Sequence, residues 1–123
     1  MRESETTVAG AIDIDVIGEE TRSAQSVTVL RMLRGMPADG RYAITHTLRV
    51  GRSSDCDIFL VDPSVSRNHA VLEIQGDAVI VRDAGSTNGT FVNGERIQLR
   101  KLQLGDRVAF GKTEMAVESE DAS

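Results

Sequence analysis

The chain has 123 residues, 40% hydrophobic and 27% charged, with no Trp and an aromatic share of 3%, so the expectation is one domain with a core of Val, Ile and Leu. The formal net charge is -5, with six acids against two bases in residues 1–26 and near-neutrality in the rest; that balance lacks the basic excess of a nucleic-acid binder. A single cysteine, Cys56, excludes an internal disulfide, and the absence of a leader pattern or a bilayer-length apolar run gives the expectation of a cytoplasmic protein with no membrane insertion.

Residues 1–26 are rich in Ser, Thr, Glu and Gly and read as a flexible acidic tail, because they carry too little apolar surface to offset the entropy of ordering. Within them "AIDIDVIG" alternates Ile12, Ile14 and Val16 with Asp13 and Asp15 at the period of a strand. From there the pattern changes to short apolar runs. They are "VTVLRML" (27–33), "YAI" and "HTLRV" (within 42–50), "DIFL" (57–60), "AVLEI" (70–74), "AVIVRD" (78–83), "TFV" (90–92), "RIQLR" (96–100), "RVAF" (107–110) and "EMAVE" (114–118). These runs favour β-branched residues and are separated by Gly, Asn, Asp and Ser turns, which predicts an all-β, two-sheet sandwich over 27–118 with a short C-terminal tail at 119–123. No window holds a 3.6-residue period, and no fixed repeat suggests a solenoid.

Three turns carry unusual chemistry: "GRSSD" (51–55), "PSVSRNH" (63–69) and "GSTNGTFVNG" (85–94). Ser66 with His69 invites a nucleophile-and-base reading, but the chain lacks a G-x-S-x-G elbow and an S-x-x-K signature. Cys56 is followed six positions on by Asp62, where a cysteine phosphatase would need an arginine. His46, Cys56 and His69 lack the close pairing of metal ligands; His46 reads as a solvent-facing strand residue and Cys56 as a small, partly buried hydrophobe. No enzyme, metal or cofactor is expected.

The binding reading fits the residue types better. Arg52 offers a planar, permanently charged fork, Ser66 and Thr87 offer hydroxyls, Arg67 a second cation, and Asn88 a donor and acceptor for a peptide backbone. Together they form an anion cradle suited to a phosphorylated side chain, which carries a charge of about -1.5 to -2 and three acceptor oxygens. Asn93 before Gly94 is a hairpin signal, and Gly51 and Gly89 suit turns with positive φ or close backbone approach, so these read as structural.

With "VGRSSDCDIFL", "VSRNHA" and "GSTNGTFVNG" in this order, the chain resembles the forkhead-associated (FHA) domains, phosphothreonine-reading β-sandwiches, over roughly residues 27–118. The resemblance implies that Arg52 and Ser66 bind phosphate with help from Thr87 and Arg67. It also implies that Asn88 holds the peptide main chain, that His69 braces the loop carrying Ser66, and that loops near Ser64 and Lys112 read a residue beyond the phosphothreonine. It makes phosphothreonine proteins and a Ser/Thr kinase the expected partners; a phosphate-independent interaction module on the same fold is the alternative. The segment "SETTVAG", with Thr6 and Thr7 after Glu5, is similar to the tail of small actinobacterial regulators of this family. In those a kinase phosphorylates a tail threonine and the tail then occupies the protein's own pocket. Here the aromatic Ser-Val-Phe-Arg continuation of that group is absent. A flexible chain of about twenty residues spans on the order of 25 Å, the reach such a fold-back requires.

Overall fold

The computed structural model describes residues 26–121; Thr6, Thr7, "AIDIDVIG" and the expected flexible tail lie outside the described residues apart from Ser26. The chain divides into two units, Thr28–Ser119 and a second made of Met1–Val27 with Glu120–Ser123. The first is the sandwich.

Among the described residues there are eleven strands: β1 (Ser26–Arg34), β2 (Arg41–Ile44), β3 (Leu48–Gly51), β4 (Ile58–Phe59), β5 (Ala70–Gln75), β6 (Ala78–Asp83), β7 (Thr90–Val92), β8 (Glu95–Ile97), β9 (Leu99–Leu102), β10 (Arg107–Phe110) and β11 (Thr113–Asp121). They form a five-stranded sheet in the order β9-β6-β5-β3-β4 and a six-stranded sheet in the order β2-β1-β11-β10-β7-β8. The pairs β9–β6, β6–β5, β5–β3, β2–β1, β11–β10, β10–β7 and β7–β8 run antiparallel, whereas β3 and β4 pair in parallel with Val50 opposite Ile58.

Alternation puts one face of each strand inside. In β6 the residues Val79, Val81 and Asp83 are buried while Arg82 faces solvent. Opposite lie Leu30, Met32, Val108, Phe110 and Met115 of the other sheet, and Phe110 is the largest fully buried side chain. At about 25 cal/mol per Å² of apolar area, this branched aliphatic layer is the main stabilising term, as the low aromatic content requires.

The sequence runs and the strands differ in three places that matter, the first being that β11 continues through Ser119 and Glu120 to Asp121, into the segment expected as a C-terminal tail. "RIQLR" reads as one strand, but it divides at Gln98 into β8 and β9, which belong to different sheets. Ile97 is buried from the six-stranded side and Leu102 from the five-stranded side, and the Gln98 carbonyl accepts the Asp83 N–H (2.9 Å) where the chain crosses. His46 is exposed in the bend between β2 and β3 rather than on a strand, with its Nδ1 3.0 Å from the Thr45 hydroxyl. The run containing it had to break for β2 and β3 to join different sheets.

Candidate functional site

Three loops meet at one end of the sandwich; the first is held by close backbone approach, and the second and third are each built around a carboxylate anchor. The β3–β4 loop begins at Gly51, whose backbone closes against the next loop: Arg52 N–H donates to Ser66 O (3.0 Å) and Ser53 N–H to Arg67 O (3.2 Å). A Cβ at Gly51 would sit 2.1 Å from Arg67 O, so glycine is required here by close approach; Gly51 is not among the positive-φ residues. The Cys56 thiol is buried in this turn and donates to Arg67 O (3.3 Å). Burial pushes its pKa up, against the thiolate form a nucleophile needs.

The β4–β5 loop turns on Asp62. Its carboxylate accepts the Ser64 N–H (2.9 Å), the Ser64 hydroxyl (2.8 Å) and the Thr113 hydroxyl (2.7 Å). Ser64 Oγ in turn accepts the Lys112 N–H (2.8 Å), which ties the β10–β11 turn to this loop. Burial alone would raise the Asp62 carboxyl, but these hydrogen bonds outweigh it and hold the group below its ordinary range.

The β6–β7 loop is organised by Asp83, a buried carboxylate that accepts Gly85 N–H (2.9 Å), Ser86 N–H (3.0 Å), the Ser86 hydroxyl (2.5 Å) and the Thr90 hydroxyl (2.7 Å). Here too burial pushes upward and the hydrogen bonds prevail, keeping the carboxyl low. Ser86 Oγ then receives the Gly89 N–H (3.0 Å). Gly89 itself has φ 94°. Beyond it, Asn93 (φ 52°) and Gly94 (φ 84°) form the two-residue, left-handed turn of the β7–β8 hairpin.

His69 joins the second loop to the third. Its Nδ1 accepts Ser66 N–H (3.0 Å) and its Nε2 donates to Gly89 O (2.9 Å), which specifies the neutral Nε2–H tautomer. The ring is fully buried, edge-on to Phe110 with centroids 5.8 Å apart. Burial pushes the imidazole below its ordinary pKa of 6.5. Both nitrogens serve the backbone, so in this arrangement neither is available as a base for the Ser66 hydroxyl.

Above this floor the sequence-predicted residues come together. Arg52 is exposed, its Nε donates to Val65 O (2.9 Å), and it makes no ion pair among the described residues; its terminal nitrogens are therefore free to meet an anion. Ser66 Oγ accepts the Thr87 N–H (3.0 Å), which joins the second and third loops and leaves the Ser66 O–H to donate outward. Asn88 Nδ2 donates to Ser64 O (2.8 Å), leaving its amide oxygen open. Arg67 and Thr87 are exposed; the Arg67 cation acts on Asp55, whose carboxyl is lowered first by the Ser53 hydroxyl and then by the Arg49 and Arg67 charges. Beside Asn88 lies a depression of about 510 Å³ lined by Pro63, Ser64, Asn88, Gly111 and Lys112.

Sequence reasoning missed the anchors Asp62, Asp83, Ser86 and Thr113. The available signals were "DPS" and "DAGS", each an Asp followed within three residues by a Ser, a pattern that favours side-chain-closed turns. It also missed the closeness of Gly111 to Ser64, where an added Cβ would meet Ser64 O at 2.5 Å. Among the described residues no group of three or more His, Cys, Asp or Glu could hold a metal ion, and no helix is long and apolar enough to cross a membrane.

The chain is similar to known proteins. A family model described as "FHA domain" matches residues 48–111. The glycogen accumulation regulator GarA of Mycolicibacterium smegmatis is 42% identical over 85 residues, covering 68% of this chain and 54% of that protein. The oxoglutarate dehydrogenase inhibitor of Corynebacterium diphtheriae is 39% identical over 102 residues, covering 77% of this chain and 71% of that one. The chain thus spans about half the length of the first of these relatives. A structure solved in an analysis of phosphothreonine-dependent FHA domain interactions superposes with a TM-score of 0.70 at 29% identity, covering 75% of this chain and 95% of the other. The chain belongs to the FHA domain family, and the three loops that meet around Arg52, Ser66 and Asn88 lie within its matched region.

Proposed function

We propose that this protein reads phosphothreonine peptides and acts as a non-catalytic adaptor in Ser/Thr kinase signalling. Arg52 and Ser66 bind the phosphate, with Thr87 and Arg67 assisting from the rim, and Asn88 holds the main chain of the peptide. His69, Gly51, Gly89 and Asn93 support the loops. The observation that supports the reading is the Thr87 N–H to Ser66 Oγ bond (3.0 Å) next to Arg52, whose Nε donates to Val65 O (2.9 Å), because it leaves the Ser66 O–H and the terminal Arg52 nitrogens as donors for an anion. Its partners are phosphothreonine-containing proteins and the kinase that makes them, and a cytoplasmic site of action suits that role.

The test is calorimetric titration with a phosphothreonine peptide and its unphosphorylated twin, repeated with Arg52→Ala. Binding only of the phosphorylated peptide, lost in the variant, is expected. Equal binding of both would favour a phosphate-independent interaction module that uses a sheet face.

The chain's own tail is a second proposed ligand, on the strength of Glu5-Thr6-Thr7 alone. Tethering at an effective concentration of about a millimolar would saturate a micromolar self-interaction. Kinase treatment should then place phosphate on Thr6 or Thr7 and abolish binding of external peptide; unchanged binding would remove the switch.

A further inference from the structure

Gly89 directly follows Asn88, and all of its backbone hydrogen-bonding capacity is directed inward. Its N–H donates to Ser86 Oγ (3.0 Å), and its carbonyl accepts both His69 Nε2–H (2.9 Å) and Gly111 N–H (3.1 Å). What remains open is the α-carbon face, and the side chain of Arg96 lies on it. A Cβ at Gly89 would meet Arg96 Nε at 2.9 Å and Cζ at 3.1 Å, with Phe91 Cε1 also at 3.1 Å. Arg96 comes from β8, outside the three loops, and stands opposite Phe91 in the β7–β8 pairing.

This guanidinium has nothing to bond there, since both lone pairs of the Gly89 carbonyl are already engaged. Arg96 is exposed and makes no hydrogen bond or ion pair among the described residues. The neighbouring acid Glu95 is engaged with Arg100 (2.8 Å) and does not neutralise it. A planar cation is thus laid against the backbone next to the residue that would hold the peptide, with its donors unused. A solvated arginine would ordinarily extend away from the protein; here a glycine with φ 94° makes room for it.

We infer that Arg96 is a specificity-determining contact that takes an anionic side chain of the bound peptide, one position removed from the phosphothreonine or a few more. This rests on the phosphothreonine reading and adds to it a preference for acidic or multiply phosphorylated ligands. A carboxylate and a second phosphate share the chemistry that Arg96 recognises.

The experiment uses the full chain and synthetic phosphothreonine peptides with alanine at every other position. Glu is placed at each position in turn, and phosphoserine at the best of them. Affinities are measured by fluorescence anisotropy for the wild type, Arg96→Gln and Arg96→Lys. A further variant, Arg107→Gln, controls for net charge, since Arg107 belongs to β10 rather than to the β7–β8 pairing and its carbonyl accepts the Asn93 N–H (2.8 Å). In the wild type one position should gain about three- to fivefold from Glu and more from phosphoserine. Arg96→Gln should abolish that gain and leave the alanine-flanked peptide unaffected, Arg96→Lys should restore part of it, and Arg107→Gln should keep it. A gain that persists in Arg96→Gln, the absence of any acidic preference, or an equal loss for all peptides would overturn the inference while the phosphothreonine reading stands. Failure of the wild type to bind any phosphothreonine peptide would overturn both.

Discussion

Two layers of polar residues meet at this end of the sandwich, and they are built on opposite principles. In the floor, made by His69, Asp62, Asp83, Ser86 and Thr113, hydrogen bonds run inward, from side chain to backbone or to another buried side chain. In the rim, Arg52, Arg67, Thr87 and Asn88 are exposed and keep donors or acceptors unused. Under the proposed function, the difference assigns loop positioning and ligand recognition to separate residues. A fully satisfied floor can hold its geometry without a ligand, because a buried polar group left unpaired would cost about 1–3 kcal/mol. Substitutions in the floor should therefore act on stability, and substitutions in the rim on affinity.

The largest effect is expected at Asp83. Asp83→Ala removes the acceptor for four donors, and a loss of about 3 kcal/mol is expected in urea unfolding. A loss under 1 kcal/mol would mean that the floor is not what holds this loop. Next comes Arg52→Ala, which should weaken phosphothreonine binding by about 30- to 100-fold in a titration while shifting unfolding by no more than about 0.5 kcal/mol. A comparable loss of stability would collapse the distinction between the layers.

His69 sharpens the comparison through pH. Its folded pKa lies below the ordinary 6.5, so the unfolded chain binds more protons as pH falls through that value. The stability contributed by the neutral ring is complete above about pH 6.5 and declines on acidification, because protonation turns Nδ1 from an acceptor into a donor facing Ser66 N–H. The carboxylates Asp62 and Asp83, also held low, add their own loss only below about pH 4. Unfolding free energy should therefore fall as pH drops below about 6.5, and His69→Gln should flatten that fall and not the one below about pH 4. The smallest effect is expected at Thr87→Ala, about twofold in affinity, since the bond to Ser66 comes from its main-chain N–H and survives the change.

Much of this was legible in the sequence, for identifiable reasons. Strands such as Ala78–Asp83 and Arg107–Phe110 coincide with their apolar runs because alternation against one core leaves little freedom of register. The sheet change at Gln98 was not legible, since Ile97 and Leu99 look alike in a strand pattern, and only the three-dimensional crossing assigns them to different sheets. Arg52, Ser66 and Asn88 stood out because a fork, a hydroxyl and an amide in turn positions lack an obvious structural use. Asp62 and Asp83 did not, because an Asp in a turn is ordinary, and its burial depends on partners as distant as Thr113. Arg96 was invisible for a related reason: what distinguishes it is an open glycine face seven residues earlier.

The central claim is that Arg52 and Ser66 direct unused donors at a dianionic group, and the bound phosphate itself reports on it most directly. Phosphorus NMR of a phosphothreonine peptide, titrated with pH free and bound, measures the second phosphate pKa, ordinarily about 6. The account predicts that this value falls by about one unit or more on binding and returns toward the free value in Arg52→Ala. A bound phosphate that titrates as it does in free solution would contradict it.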